Sequence, residues 1–281
     1  KYKFFEHTVL PTIGFKKALG INVTNIQKNT FINHTKKTLE YLYFKNPNEQ
    51  KICCFGYNIY ELYRLMNESD FTEDIVTVIK RKLESRNEKP ISEDLSITDF
   101  SEVYLFFDYD FQNKNLELEK LNFQLQEMLD FFSDETDNGK LYVNYPMVES
   151  IKCTQKLPDE HCFEYKVTKD DCLDFKNYVS KTFSFYKSSD FMQFSIDKKS
   201  NVLRSITKDR EKIVRENWIY LKEQNIKKAN YICNDDYSYP ENKISISQKN
   251  ILNSQLEKYV LPHNEVAILN AFPLFLYEYF K

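Results

Sequence analysis

Glycine is almost missing from this chain of 281 residues, which holds only four. Phosphate-cradling loops need glycine where the backbone approaches a ligand closely. Neither a P-loop nor a dinucleotide fingerprint is present, so nucleotide sites of those two kinds are not expected. A net positive charge is missing too: 39 basic residues against 42 acidic ones give −3. Nucleic-acid binding would therefore have to rest on local patches rather than on a global field. The six cysteines include no CxxC pair, and Cys53 and Cys54 are adjacent inside an apolar run. Reduced thiols in a cytoplasmic protein are expected, since no secretory signal pattern precedes them. His161-Cys162, between Cys153 and Cys172, leaves zinc open as a weaker reading. Long apolar runs are lacking as well. The longest, Val266 to Phe280, is broken by Asn270, Pro273 and Glu278, so no membrane partner is expected.

What is present is a folding composition, 42% hydrophobic and 29% charged, with 16% aromatics to fill a core. The chain is organised around Val103-Tyr104-Leu105-Phe106-Phe107-Asp108-Tyr109-Asp110. Five apolar residues predict a strand buried on both faces. Strand alternation would aim Asp108 and Asp110 the same way and Tyr109 the other. Two adjacent carboxylates repel unless a cation lies between them, and hard cations such as Mg²⁺ or Mn²⁺ accept such oxygen pairs. The plainer alternative has Asp110 starting a turn and Asp108 taking a backbone partner.

Around this strand the pattern is α/β. Phe4, Phe5 and Val9 fall on a helical stripe that stops before Pro11, so the chain is expected to open inside a helix, with its first strand missing upstream. Another helix is expected through Leu39, Leu42 and Tyr43. Ile52–Phe55 predicts a buried strand and Gly56 its turn; Asn58 then caps a helix with Ile59, Leu62, Tyr63 and Met66 inward. Thr72 opens a second helix with Ile75, Val76, Ile79 and Leu83 inward. Its outer residues Lys80, Arg81 and Lys82 form either a solvated face or a nucleic-acid contact. After a loop at Pro90 and the acid-ended strand, Asn115 caps a long helix through Leu118, Leu125 and Phe132, closed by Asp137-Asn138-Gly139. Leu141–Tyr145 is the next strand. This order implies right-handed crossovers and a parallel sheet flanked by helices over residues 1–150. Residues 151–281 read as mainly helical. Helices are expected over 170–186 and over 201–224, the latter with Ile206, Ile213, Val214 and Trp218 inward. Lys208, Arg210, Lys212 and Arg215 make its outer face basic. A last helix places Phe272, Phe275, Leu276 and Tyr279 in the core.

A buried strand ending Asp-x-Asp, then a helix, then a strand ending Asn144-Tyr145-Pro146-Met147-Val148-Glu149-Ser150 resembles the TOPRIM domain. It is most similar to the RloB-type and OLD-type proteins of bacterial phage defence. The resemblance covers roughly residues 1–150 and implies that Asp108 and Asp110 bind Mg²⁺ or Mn²⁺. Pro146 to Glu149 matches the Pro-x-x-Glu stretch of the RloB-type proteins, which adds Glu149 as a third catalytic acid. The family's first motif, a strand ending in Glu-Gly, is not found; Glu6 is expected on a helix and is not given its role. The resemblance further implies an AAA or ABC-type ATPase partner and a nucleic acid substrate, DNA or transfer RNA. Three functions follow. The first is a metal-dependent nuclease subunit, with the metal polarising a phosphoryl oxygen and activating water. The second is a non-catalytic TOPRIM-like scaffold or sensor that binds an effector or phage protein. The third is an Asp-x-Asp glycosyltransferase, which leaves Pro146 to Glu149 unexplained.

Overall fold

The computed structural model describes residues 2–7, 50–53, 55–85, 91, 93–183 and 208–279. They form two compact units, residues 2–7 with 50–143, and residues 144–279. The helix expected through Leu39, Leu42 and Tyr43, the loop at Pro90, Cys54, Ile206 and the side chains of Lys208 and Arg210 lie outside the described residues.

The first unit is built on a mixed sheet. The opening segment is not a helix: Tyr2–His7 is strand β1, and it lies inside the sheet. It pairs in parallel with β2 (Gln50–Cys53) on one side and with β3 (Phe100–Asp108) on the other. Phe5 stands in register with both Ile52 and Tyr104, and His7 with Phe106. A six-residue apolar-rich segment fits helix and strand periodicities alike, and partners distant in the chain decide between them. Two helices follow β2. Helix α1 (Ile59–Asn67) is capped by Asn58, whose side chain accepts from the Glu61 N–H at 2.9 Å. Helix α2 (Ile75–Glu84) is capped by Asp74 rather than Thr72, because the Asp74 carboxylate reaches the Thr77 N–H at 3.0 Å. Ile75, Val76, Ile79 and Leu83 are all buried, as their spacing predicts.

Strand β3 buries Val103 through Phe107 completely. At about 1.5–3 kcal/mol for each large apolar side chain, these residues hold the sheet to its helices. Phe106 stacks on Tyr142 of the next strand at 5.2 Å, and Phe107 meets Phe55 edge-on at 6.2 Å. Helix α3 (Leu118–Phe131) starts after Glu117, not Asn115, and buries Leu121, Leu125, Met128 and Leu129. It does not run to Asp137-Asn138-Gly139. The chain leaves the helix at Phe132 and enters a hairpin of β4 (Ser133–Asp134) and β5 (Gly139–Asn144), so these turn residues join two strands. Gly139 holds φ +114° with the Val103 side chain 3.2 Å from where a Cβ would stand, so a side chain there is strained and crowded. The strand order is β2-β1-β3-β5-β4, so one sheet holds Ile52 and Cys53, Val103–Asp108 and Leu141–Asn144, while Phe55 and Tyr145, expected in these strands, lie beyond their ends.

The second unit is mainly helical. Strand β6 (Lys166–Thr168) leads into α4 (Lys169–Leu173), with Thr168 and Asp171 forming a reciprocal cap, and then α5 (Phe175–Thr182). Helix α6 runs Lys208–Asn234, ten residues beyond the expected end at Gln224. Val214 and Trp218 are buried on it, whereas Ile213 is 45% exposed and does not face inward. Helix α7 (Gln248–Gln255) continues as a π-turn over Leu256–Val260. Strand β7 (Glu265–Ala267) pairs antiparallel with β6, and α8 (Ala271–Tyr279) buries Phe272, Phe275 and Leu276. Cys153, Cys162, Cys172 and Cys233 carry no disulfide, and burial pushes all four thiols above their ordinary range. No described helix is long and apolar enough to cross a membrane.

Candidate metal centre

The chain passes from β1 to β2 on one side and later to β3 on the other, so the strand order reverses between β1 and β3. In parallel α/β sheets, the crevice outside the carboxyl ends of the strands at such a reversal collects ligands. Asp108 is the last residue of β3 and stands at that edge.

Asp110 gets there by a different route from the expected one. The strand ends at Asp108, and Asp110 adopts φ +55°, so simple alternation does not carry through the pair. Aspartate tolerates this left-handed conformation better than most side chains. The Asp110 carbonyl accepts from the Asn113 N–H at 2.9 Å, so Asp110 does start a turn. Between the acids, buried Tyr109 is clamped at both ends. Its carbonyl accepts from the Tyr60 hydroxyl of α1 at 2.7 Å, and its own hydroxyl donates to Asn122 Oδ1 of α3 at 2.6 Å. Two helices thereby fix the backbone that presents both carboxylates.

The Asp110 carboxylate is held by side-chain amides. Asn58 Nδ2 donates to Oδ2 at 3.3 Å, Gln112 Nε2 to Oδ1 at 2.5 Å, and Asn113 Nδ2 to Oδ2 at 3.5 Å. Burial raises its pKa, and the hydrogen bonds from Asn58 and Asn113 only partly oppose that. Gln112 Oε1 is buried with no hydrogen-bond partner among the described residues. Reversing that amide would set its oxygen against a carboxylate oxygen, so the orientation is fixed by the hydrogen bond. Asp110 and Gln112, together with Asp108 at the strand end, offer oxygens of the hard kind. Mg²⁺ usually takes one or two carboxylates and keeps several waters, so this set fits it. Among the described residues no group of three or more His, Cys, Asp or Glu comes together at metal-holding distance. The amide donors Gln112 and Asn113 are not singled out by the sequence; their only signal is the polar stretch Gln112-Asn113-Lys114-Asn115, which begins after Phe111.

The other candidate residues lie elsewhere. Glu149 belongs to the second unit, in the 3-10 turn Val148–Lys152. It is buried, with Oε1 3.6 Å from Lys176 Nζ and Oε2 without a hydrogen-bond partner among the described residues. Its segment is anchored by Asn270, whose Nδ2 donates to the Val148 carbonyl at 3.2 Å and to Ser150 Oγ at 2.9 Å. On α2, Lys80 donates to the carbonyls of Glu93 and Leu95, Arg81 pairs with Glu73 at 2.7 Å, and Lys82 pairs with Glu61 at 2.6 Å over the Tyr57 ring. These three cations are engaged within the fold. On α6, Lys212 and Arg215 are exposed, with Lys212 3.8 Å from Glu216. Glu6 is in a strand, not on a helix: it is the penultimate residue of β1, in register with Leu105 of β3.

No protein-family model, no curated protein and no solved structure matches the chain.

Proposed function

We propose that this chain is a metal-dependent phosphodiester-cleaving subunit whose Mg²⁺ or Mn²⁺ is held by Asp108 and Asp110. The observation that carries the reading is their position at the carboxyl end of β3, where the strand order reverses beside β1. Asp108 and Asp110 supply charged oxygens. Gln112 Oε1 supplies a neutral oxygen for a metal-borne water, and Tyr109, gripped by Tyr60 and Asn122, keeps the acids in place. A bound divalent cation supplies Lewis acidity to a phosphoryl oxygen and to the attacking water. Glu6, at the end of the neighbouring strand, is a third acid on this reading. Its backbone stands in register with Leu105, three residues before Asp108 in the neighbouring strand. His7 follows it where the TOPRIM pattern has glycine. Glu149, an ATPase partner and a defence role rest on the resemblance to RloB-type and OLD-type proteins, as does the choice of DNA or transfer RNA.

A non-catalytic scaffold is the second reading. It is favoured by the internal engagement of Lys80, Arg81 and Lys82, which leaves the α2 face without free cations for a phosphate backbone. Incubating the protein with labelled DNA and transfer RNA, with Mn²⁺ and with an ATPase partner where one is encoded nearby, separates the two. Cutting by the wild type that falls on the order of a hundredfold in Asp108→Asn supports the nuclease. Cutting that persists undiminished in Asp108→Asn refutes it.

A further inference from the structure

We propose that Asn58 is a positioning residue for the metal centre, joining the start of α1 to the Asp110 carboxylate. This rests on the metal reading above. The geometry uses both ends of one amide. Asn58 Oδ1 accepts from the Glu61 N–H at 2.9 Å and so closes the first turn of α1. Asn58 Nδ2 donates to Asp110 Oδ2 at 3.3 Å. Because the oxygen is committed to the helix, the amide cannot turn over, and its N–H₂ faces the carboxylate. The connection back to the sheet is short: β2 ends at Cys53 and Gly56 takes φ 75° before the cap. The Tyr60 hydroxyl, two residues along, donates to the Tyr109 carbonyl at 2.7 Å, so the same end of α1 holds the backbone and the side chain of adjacent residues. Asn58 therefore helps hold Asp110 Oδ2, with Asn113 on the same oxygen, while Oδ1 accepts from Gln112, and this sets the plane of the carboxylate.

Two substitutions separate positioning from capping. Serine caps a helix about as well as asparagine but has no amide to offer Asp110. Aspartate caps too, but it places a second carboxylate beside Asp110. The probe is Mg²⁺ and Mn²⁺ binding to the full chain by calorimetry, with thermal unfolding of the metal-free protein beside it. In Asn58→Ser, Mg²⁺ affinity should fall on the order of tenfold, the value of one hydrogen bond to a charged group. Thermal stability without metal should stay close to that of the wild type. In Asn58→Asp, metal-free stability should drop, and Mg²⁺ should restore more of it than it adds to the wild type. Asn58→Ser that binds Mg²⁺ as the wild type does makes Asn58 a cap only and overturns the proposal. A wild type that binds neither ion overturns the metal reading itself, and the positioning role falls with it.

Discussion

Lys228 offers a test of the second unit that needs no ligand. It sits on α6, is 3% exposed, and donates to the carbonyls of Cys162 at 2.6 Å and Tyr165 at 2.8 Å. Burial pulls its pKa down to about 8 from 10.5, opposed by the nearby Cys162, Cys153 and Asp159. Its folded pKa lies below its unfolded one. Between pH 8 and 10.5 the unfolded chain therefore holds a proton that the folded chain has released. Folding gains as pH rises through that window, by about 3 kcal/mol for a shift of this size. Below pH 8 both states carry the charge and the cost is present in full. Lys228→Met removes the charge at similar shape. Neither carbonyl is orphaned, because Cys162 also accepts from the Tyr165 N–H and Tyr165 from the Ile268 N–H. Losing two bonds from a charged donor costs about 3 kcal/mol together, which offsets the relief at pH 7. The raised thiols and phenols around it, such as Cys162, Tyr165 and Tyr237, act in the opposite direction at high pH, so the informative quantity is the difference between the two proteins. Trp218, the chain's single tryptophan, is buried on the same helix and reports denaturant unfolding of this unit. The wild type should gain about 2–3 kcal/mol on Lys228→Met between pH 7.5 and 10. A difference that does not change with pH would refute the buried-cation reasoning.

Three further outcomes follow from the same structure. Asp110→Asn should keep or raise metal-free stability at pH 7 and lose that advantage as pH falls toward 4, since the folded pKa of Asp110 is raised; Asp110→Val should melt lower, because a β-branched residue resists φ +55°. Leu105→Ala, at a fully buried position in the middle of β3, should cost about 2–5 kcal/mol in denaturant unfolding, and a cost under about 1 would place β3 at an edge of the core. The thiols of Cys153, Cys162 and Cys172 should stay unmodified by an alkylating reagent at pH 8 in the native protein and react fully on unfolding, as mapped by mass spectrometry.

Local chemistry made much of this fold legible. The aromatic run of β3, the Asn58 cap and the apolar stripe of α2 each follow from short-range pattern and appear where expected. What was not legible depends on distant partners. Tyr2–His7 is a strand because residues 50–53 and 100–106 lie on either side of it, and nothing within six residues announces that. Helix α6 outruns its apolar stripe because Asn225, Lys228 and Asn230 are buried on bonds to distant or local carbonyls, a burial that hydropathy counts against. At the candidate site the sequence showed both acids but not the left-handed turn at Asp110, so the idea that alternation aims them together needed correcting. The amide cradle divides in the same way: Asn58 reaches Asp110 from 52 residues away, whereas Gln112 and Asn113 close on it from two and three residues along the turn.

The claim on which the rest depends is that the end of β3 holds a divalent cation. Crystals grown with Mn²⁺ and measured at its absorption edge test it directly. An anomalous peak within about 2.2 Å of carboxylate oxygens from Asp108 or Asp110, with waters completing an octahedron and Gln112 Oε1 within reach of one of them, is the predicted result. A map with no peak at that strand end, or with Mn²⁺ bound only at other acids, would contradict it.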